Sequence, residues 1–548
     1  MDILSYHQRS KHRPDAYARG PESIDWDAQP DPFRTFEAPD DAGRSARQIP
    51  LPLTASGIGR RWSELWRTEH RQEWVTPDRE TLANLLELSL ALSAWKQFGS
   101  ARWSLRVNPS SGNLHPTECY VVATNIAGLE DGIYHYRADT HALEQRCRFI
   151  EKATDHTPLL WLGFTSVHWR EAWKYGERAY RYCQLDTGHA LAAVSYAAAT
   201  IGFSAHQIVP LTVQDNKLAD LLGISREQDF TNPGGQAAER EHGDCLLSLT
   251  GRQGLDTLLF QANHGDWCGR ANVLDSRHFY QWPVIDEAVA SALKTKPDSA
   301  APDAYYTDQA PMPARGVLAD EPAARLIKQR RSAQKFDPAG SIRQEDFYTL
   351  LDHCLARAEV PPWNVLQQAA DVHLFIFAHN VEGLDSGLYT LLRSPAADEV
   401  LPPALRDAFV WQKPATAPQH LHFYQLLKAG TRRTAANLSC QQAIAGESAF
   451  SVAMLADMND VKNNHWLYRQ RFWQAGVLGQ VLYLEAEAAG LRGTGIGCYY
   501  DDFVHDLLGL EGTQASWQVL YHFTLGKPEV DHRITQWRPY SERTPAAQ

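Results

Sequence analysis

Three observations predict an α+β chain built from two tandem copies of one unit: a repeated strand–turn–strand pattern, a repeated helix signature after it, and a segment between the copies without apolar periodicity. The pattern Asn125-Ile-Ala-Gly128-Leu-Glu-Asp-Gly132-Ile-Tyr134 recurs as Asn380-Val-Glu-Gly383-Leu-Asp-Ser-Gly387-Leu-Tyr389, each time directly after an apolar run, 119–124 or 372–378. Tyr180-Arg181 followed by Gly188 and Gly202 recurs as Tyr468-Arg469, Gly476 and Gly490, with fourteen residues between the glycines of each pair. Asp220-Leu-Leu-Gly223 returns as Asp506-Leu-Leu-Gly509. Three pairs in one order make coincidence a poor explanation. Residues 294–314 are rich in Pro, Ala and Asp and read as a linker. The expected domains are therefore 1–293, with an N-terminal arm, and 315–548.

Within each copy, apolar spacing with acidic residues near the start predicts helices at 79–94 and 186–203, and counterparts at 344–356 and 473–489. The runs 119–124, 372–378 and 519–526 read as strands. At 548 residues and 44% hydrophobic, the chain exceeds what one core usually holds. The net charge of −12 is spread without a Lys/Arg block, which argues against nucleic-acid and anionic-membrane partners. Eight cysteines without Cys-x-x-Cys read as reduced buried thiols. No stretch reaches eighteen uncharged apolar residues and the first residues lack an apolar core, so neither a membrane span nor a signal peptide is expected and the cytoplasm is the expected location.

Several segments carry chemistry. Residues 106–118 pack Pro109, Ser110, Ser111, Gly112 and Asn113 into a Pro-bounded turn. Such a turn is either an ordinary solvated one or a cradle that hydrogen-bonds a flat polar ligand. Arg330, Arg331 and Ser332 offer fork geometry and a hydroxyl to a phosphate, or form a solvated helix end. Gly493-Thr-Gly495-Ile496-Gly497 offers backbone N–H groups but lacks the strand-before, helix-after context of a dinucleotide loop. His189 reads as a packing or capping group at a helix start, and His115 sits inside the Ser/Asn turn. There is no HExxH, and His420-Leu-His422 has no Cys or carboxylate at ligand spacing, so no metal is expected.

The strings PSSGNLHPTE (109–118), YHQRSKHRPDAYARGP (6–21), DWDAQPDPFR (25–34), KYGERAYRYCQLDTGH (174–189), QRRSAQKF (329–336) and GTGIGCYYDD (493–502) resemble the nitroreductase superfamily, specifically its SagB-type dehydrogenase branch. The resemblance implies a mostly antiparallel sheet wrapped by helices and an intimate dimer with FMN at its interface. In a tandem chain the two nitroreductase-like halves form that dimer within one polypeptide. It also implies a division of labour: Arg330, Arg331, Ser332 and Lys335 for the phosphate, Gly495, Ile496 and Gly497 for the ring, and Lys527 and Arg533 as C-terminal cations, all from the second half. Pro109, Ser110, Ser111 and Asn113 come from the first half. The second half has lost the Ser/Asn pattern (PPWNVLQQAA, 361–370) and the first carries AHQIV (205–209) in place of GTGIG, so one FMN per chain is expected. Arg9, Ser10 and Lys11 resemble a second phosphate segment, with a wrapping arm as the other reading.

By the same resemblance, Lys174 and Tyr175 form the acid–base pair of azoline-oxidising members; the second half has Lys462-Asn463 instead. A desolvated lysine can accept a proton near neutral pH. Three functions follow: an FMN-dependent dehydrogenase acting on an azoline or modified peptide, an NAD(P)H-dependent nitro or quinone reductase, or a non-catalytic flavin-binding scaffold. The partners implied are a small-molecule or peptide substrate and NAD(P)H, oxygen or a quinone as redox partner. A further homodimer is compatible with the tandem arrangement.

Overall fold

The computed structural model describes residues 1–66, 74–151, 156–232, 235–250, 254–296, 313–357, 360–366, 370–510 and 516–541. Most of the expected linker at 294–314 and residues 367–369 of the 361–370 segment lie outside the described residues.

Each copy of the repeat forms an antiparallel sheet with the same strand order. In the first, Ala142–Arg148, Gly132–Arg137, Thr117–Thr124, Leu159–Ser166, His242–Ser248 and Val209–Leu211 lie side by side. In the second the order is His422–Lys428, Gly387–Leu392, Val372–Ala378, Phe450–Asp457, Trp517–Gly526 and Arg492–Ile496. Two short strands, Arg47–Pro50 and Asp266–Trp267, also pair with Ala142–Arg148. The repeated turn joins the first two strands of each copy. Gly128 and Gly383 stand there at φ 81° and 75°, a region that side chains with a Cβ enter at a cost. Tyr134 and Tyr389 donate their hydroxyls back to the carbonyls of Glu130 and Asp385.

The two halves meet along the helices Ala179–Ile201 and Leu467–Ala488. Both are buried on almost every face, as expected of helices inside a core. They cross where the repeat places its glycines: a Cβ on Gly188 would lie 2.3 Å from the Trp473 carbonyl oxygen, and one on Gly476 would lie 2.2 Å from that of Leu185. Reciprocal contacts flank the crossing. Tyr180 and Tyr468 stack at 6.3 Å with planes 4° apart. Arg181 bonds Asp501 at 2.7 Å, and its counterpart Arg469 bonds Asp215 at 2.8 Å. Matched pairs of this kind are the signature of an isologous, two-fold interface, formed here within one chain.

Both ends of the polypeptide complete the clasp. The arm helix Ile3–Arg9 carries His7 to Tyr468 and Gln518 of the second half. The C-terminal strand Thr535–Trp537 pairs with Leu92–Phe98 of the first, which also pairs with Ala101–Arg106. The molecule is thus two tandem α+β units in an intramolecular pseudo-dimer.

Some boundaries differ from the sequence expectation. The central helices begin at Ala179 and Leu467 rather than 186 and 473, because Tyr180, Arg181, Tyr468 and Arg469 are buried against the opposite half and tertiary contact overrides their modest helix propensity. The helix expected at 79–94 ends at Glu87. There the chain turns, the Ser89 hydroxyl bonds the Leu85 carbonyl at 2.7 Å, and Leu92 onward is strand. The cysteines are buried at 119, 147, 183 and 354 but only half-buried at 245, 268, 440 and 498.

Gly188→Ala tests the crossing. In an ordinary helix interior the change gains about 1 kcal/mol of helix propensity. Here the new methyl meets fixed backbone of the other helix, so a net loss of about 1–3 kcal/mol is expected from overpacking. A urea midpoint equal to or above that of the parent would show that the helices separate freely.

Candidate functional site

A cavity of about 360 Å³ lies between the halves. Its wall includes Pro109, Ser110, Ser111, Asn113 and Tyr175 from the first half and Arg330, Arg331, Ser332, Gly495, Ile496 and Gly497 from the second. The two sets named from sequence thus meet in one place, 200 to 400 residues apart along the chain.

The Ser/Asn turn is held in an unusual backbone path, with Gly112, Asn113 and His115 at φ 57°, 61° and 55°. Its polar side chains build the turn itself. The Ser110 hydroxyl accepts from the His115 amide at 2.8 Å, and Ser111 donates both its amide and its hydroxyl to Asp186, at 3.0 and 2.9 Å. Asn113 donates its amide to the Ser104 carbonyl at 2.9 Å. The donors expected to serve a ligand are therefore committed to the fold, which corrects the simpler picture of a turn with all its groups on offer.

The glycine segment shows a second correction. Arg492–Ile496 is an edge strand, and the Gly495 amide donates to the Tyr483 hydroxyl at 3.0 Å, so it is not an exposed donor. What these glycines supply is space. A Cβ on Gly495 would lie 1.8 Å from the Tyr521 hydroxyl, and one on Gly497 would lie 2.3 Å from the Tyr182 ring. Across the turn, a Cβ on Gly112 would lie 2.4 Å from the Tyr175 hydroxyl.

Part of the cavity wall is cationic. Arg330 and Arg331 are buried and spend part of their N–H groups on backbone carbonyls, those of Arg106 and Val107 for Arg330 and that of Ser93 for Arg331. Arg330 Nε is buried without a partner. Burial, then the charges of Arg330 and Arg492, lower the Arg331 guanidinium to about 10. Lys96, which sequence reasoning missed, joins them and is depressed by burial and by Arg331, Arg492 and Arg330. None of Lys96, Arg330 and Arg331 forms an ion pair among the described residues; Arg492 stands 4.0 Å from Glu487. Ser332 hydrogen-bonds Tyr483 at 2.9 Å. Lys335, Lys527 and Arg533 do not reach the cavity wall. Each is exposed beside its own carboxylate: Glu529 at 2.7 Å, Asp337 at 3.6 Å and Asp531 at 2.7 Å.

Acid–base groups line the cavity as well. Asp186 is buried, and burial pushes its carboxyl up to about 7 although Ser110 and Ser111 favour the charged form. Behind it, Glu171 is fully buried with neither carboxyl oxygen hydrogen-bonded, and burial and then Asp186 push it well above the carboxylate range. Tyr175 lines the cavity and packs edge-on against Tyr182 at 4.7 Å. Lys174 does not line it. Its ammonium lies 5.5 Å from the Trp26 ring and 5.2 Å from the Tyr175 ring, and burial lowers it against the pull of Glu171. His189 sits in mid-helix rather than at a helix start and lines the cavity, hydrogen-bonding Gln480 and Tyr521, with burial holding it near 3 and neutral. Asp186 carried a sequence signal, since it stands three residues before His189 on the cavity-facing helix. Lys96 carried none, because its strand enters the site only through tertiary pairing.

The two-fold counterpart of this cavity is closed. Where Pro361 and Asn364 meet Ser195, Ala199, Ala205 and Ile208, only about 20 Å³ remains. Ser195 donates to Asn364 there at 2.5 Å. Arg9, Ser10 and Lys11 seat the arm. Arg9 pairs with Glu177 at 2.6 Å, Ser10 accepts from Arg181 at 2.9 Å, and Lys11 pairs with Asp502 at 2.8 Å. Among the described residues no group of three or more His, Cys, Asp or Glu could hold a metal ion, and no helix is long and apolar enough to cross a membrane.

Comparison with known proteins agrees with the architecture. A crystal structure of a nitroreductase-like protein from Anabaena variabilis superposes with a TM-score of 0.63 at 22% identity, covering 96% of this chain and all of that one. The nitroreductase-family protein MJ1384 of Methanocaldococcus jannaschii is 24% identical over 145 residues, 24% of this chain and 70% of its own length. The trifolitoxin-processing protein TfxB of Rhizobium leguminosarum bv. trifolii is 34% identical over 127 residues, 20% of this chain and about a third (34%) of its own length. The model of the nitroreductase family matches residues 75–232 and 327–527, one span in each half and together more than half of the sequence. The chain therefore belongs to the nitroreductase family.

Proposed function

We propose that this chain is an FMN-dependent oxidoreductase of the SagB type with one composite site, moving a hydride between an organic substrate of the azoline or modified-peptide class and the flavin. The observation that carries this reading is the polarity of the cavity. The same cavity is lined by the cations Lys96, Arg330 and Arg331 and by the acid–base groups Asp186 and Tyr175.

The residues fit the cofactor. Three cations that repel one another, one with a buried unpartnered Nε, are what a phosphate dianion relieves. Gly112, Gly495 and Gly497 let Tyr175, Tyr521 and Tyr182 pack directly on the backbone, and these tyrosines line the cavity as aromatic partners for a flat ring. Bound flavin supplies two-electron chemistry, accepting or returning a hydride. The chain supplies the proton inventory. Asp186 exchanges a proton near neutral pH, and Glu171 holds one in reserve behind it. Tyr175 makes the contact with the cavity, while Lys174 sets the charge behind its ring, so the pair acts in series rather than side by side. Kinship with a trifolitoxin-processing protein and the Lys174-Tyr175 sequence both favour a modified-peptide or heterocyclic substrate over a nitro compound.

The decisive measurement is the flavin content of the purified protein. About one FMN per chain is expected, since only about 20 Å³ remains at the counterpart position. Arg331→Ala should weaken FMN binding about 10- to 100-fold, the worth of one charge-assisted contact. Two FMN per chain would overturn the composite site, and reduction of the flavin by NAD(P)H faster than by any azoline would move the protein to the reductase class.

Asp186 generates a pH prediction. Its folded-state value near 7 lies above its ordinary 3.8, so the folded form binds the extra proton between those values and loses stability as pH climbs from about 4 to about 7. Asp186→Asn removes that dependence. The variant should therefore gain on the parent at pH 8 relative to pH 5 in urea melts of the flavin-free protein, and an unchanged difference would mean that Asp186 is already ionised at pH 5.

Tyr175→Phe should retain FMN and keep the visible spectrum while lowering kcat more than it raises KM. Loss of FMN in this variant would assign the hydroxyl to cofactor binding instead.

A further inference from the structure

Two thiols meet at the wall of the cavity. Cys498 lines it directly after the glycine segment, and Cys440 stands on the segment hydrogen-bonded to it. The two segments are fastened to each other: the Tyr500 amide donates to the Leu438 carbonyl at 2.9 Å, and the Gln442 side chain donates to the carbonyls of Cys498 at 3.1 Å and Ser439 at 2.9 Å. Cys440 and Gln441 stand consecutively at φ 52° and 60°, a left-handed path that non-glycine residues adopt at a cost. Both cysteines are partly exposed, unlike the four in the core.

From this geometry we propose that Cys440 and Cys498 form a redox-active dithiol that exchanges with a low-molecular-weight disulfide, Cys498 being the attacking sulfur. The hydrogen bond from Cys440 and, against burial, the Arg178 charge favour the Cys498 thiolate. Arg178 is anchored beside it, with its guanidinium on the Gly497 carbonyl at 3.2 and 3.3 Å and on Asp501 at 3.0 Å. In the first step the Cys498 thiolate attacks one sulfur of the small disulfide, whose S–S bond breaks and releases one thiolate. In the second, Cys440 loses its proton and attacks the Cys498 sulfur of the mixed disulfide, releasing the second thiolate. Two protein thiols are oxidised to one disulfide while the small disulfide is reduced to two thiols, the two protons passing to the leaving thiolates. The product pins the 438–442 segment to the 498–500 segment and so fixes one wall of the cavity.

The test needs no flavin chemistry. The reduced full-length protein is exposed to oxidised glutathione, quenched with an alkylating agent at intervals, and mapped by peptide mass spectrometry. Cys498 should react at least about tenfold faster than the equally half-buried Cys245 and Cys268, as expected of a thiol in a cationic setting. The wild type should progress to a Cys440–Cys498 disulfide, and C440S should stop at the glutathione adduct on Cys498. A Cys498 rate no higher than those of Cys245 and Cys268 would overturn the proposal, as would an adduct on Cys498 that persists in the wild type without closing. Should C440S fail to fold, the wild-type rates and linkage map still decide.

Discussion

The structure depends on the contact between the two central helices. Backbone meets backbone where Gly188 faces Gly476, and a side chain of any size at either position would hold the helices apart. Two buried Arg–Asp bridges, Arg181 to Asp501 and Arg469 to Asp215, fix the register of that contact. Burial opposes ionisation of Asp501, but Arg178 and Arg181 outweigh it and hold the carboxyl far below its ordinary range. A buried bridge left with one partner missing is costly, so these pairs serve register more than net stability. Because each bridge joins the halves, every group carried by one helix is positioned relative to the other half.

The pseudo-two-fold makes two cavities geometrically available, and the side chains keep one. At the kept position, about 360 Å³ remains between the halves. At the other, Pro361 and Asn364 close against Ser195, Ala199, Ala205 and Ile208, and Asn364 takes the Ser195 hydroxyl. A tandem dimer can give up one of two equivalent sites in this way without losing the interface that forms the other, because the glycine crossing and the Arg–Asp bridges that hold the helices together are not part of either cavity wall.

Inside the kept cavity, opposite electrostatic demands fall on different groups. The cations are depressed by burial and by one another, and the carboxyls are raised by burial. Both shifts express the same cost of holding charge away from water. A ligand with an anionic tail and a neutral, hydrogen-bonding ring satisfies the cations and leaves the carboxyls free to move protons.

Sequence periodicity and repetition determined the duplication and the strands 119–124, 372–378 and 519–526, while the family resemblance of the motifs named the segments that converge on the cavity. Repetition is legible because a duplicated unit repeats its turn glycines and interface residues at fixed spacing. What only the tertiary structure decided was which groups reach the cavity. Lys335, Lys527 and Arg533 pair with nearby carboxylates away from the cavity, Lys174 is turned toward Trp26, Lys96 enters from a strand that carries no motif, and Asp186 enters from a motif whose resemblance gave roles to other residues. A motif specifies residue types along the chain, but the direction of a side chain and its protonation are set by burial and by charges hundreds of residues away.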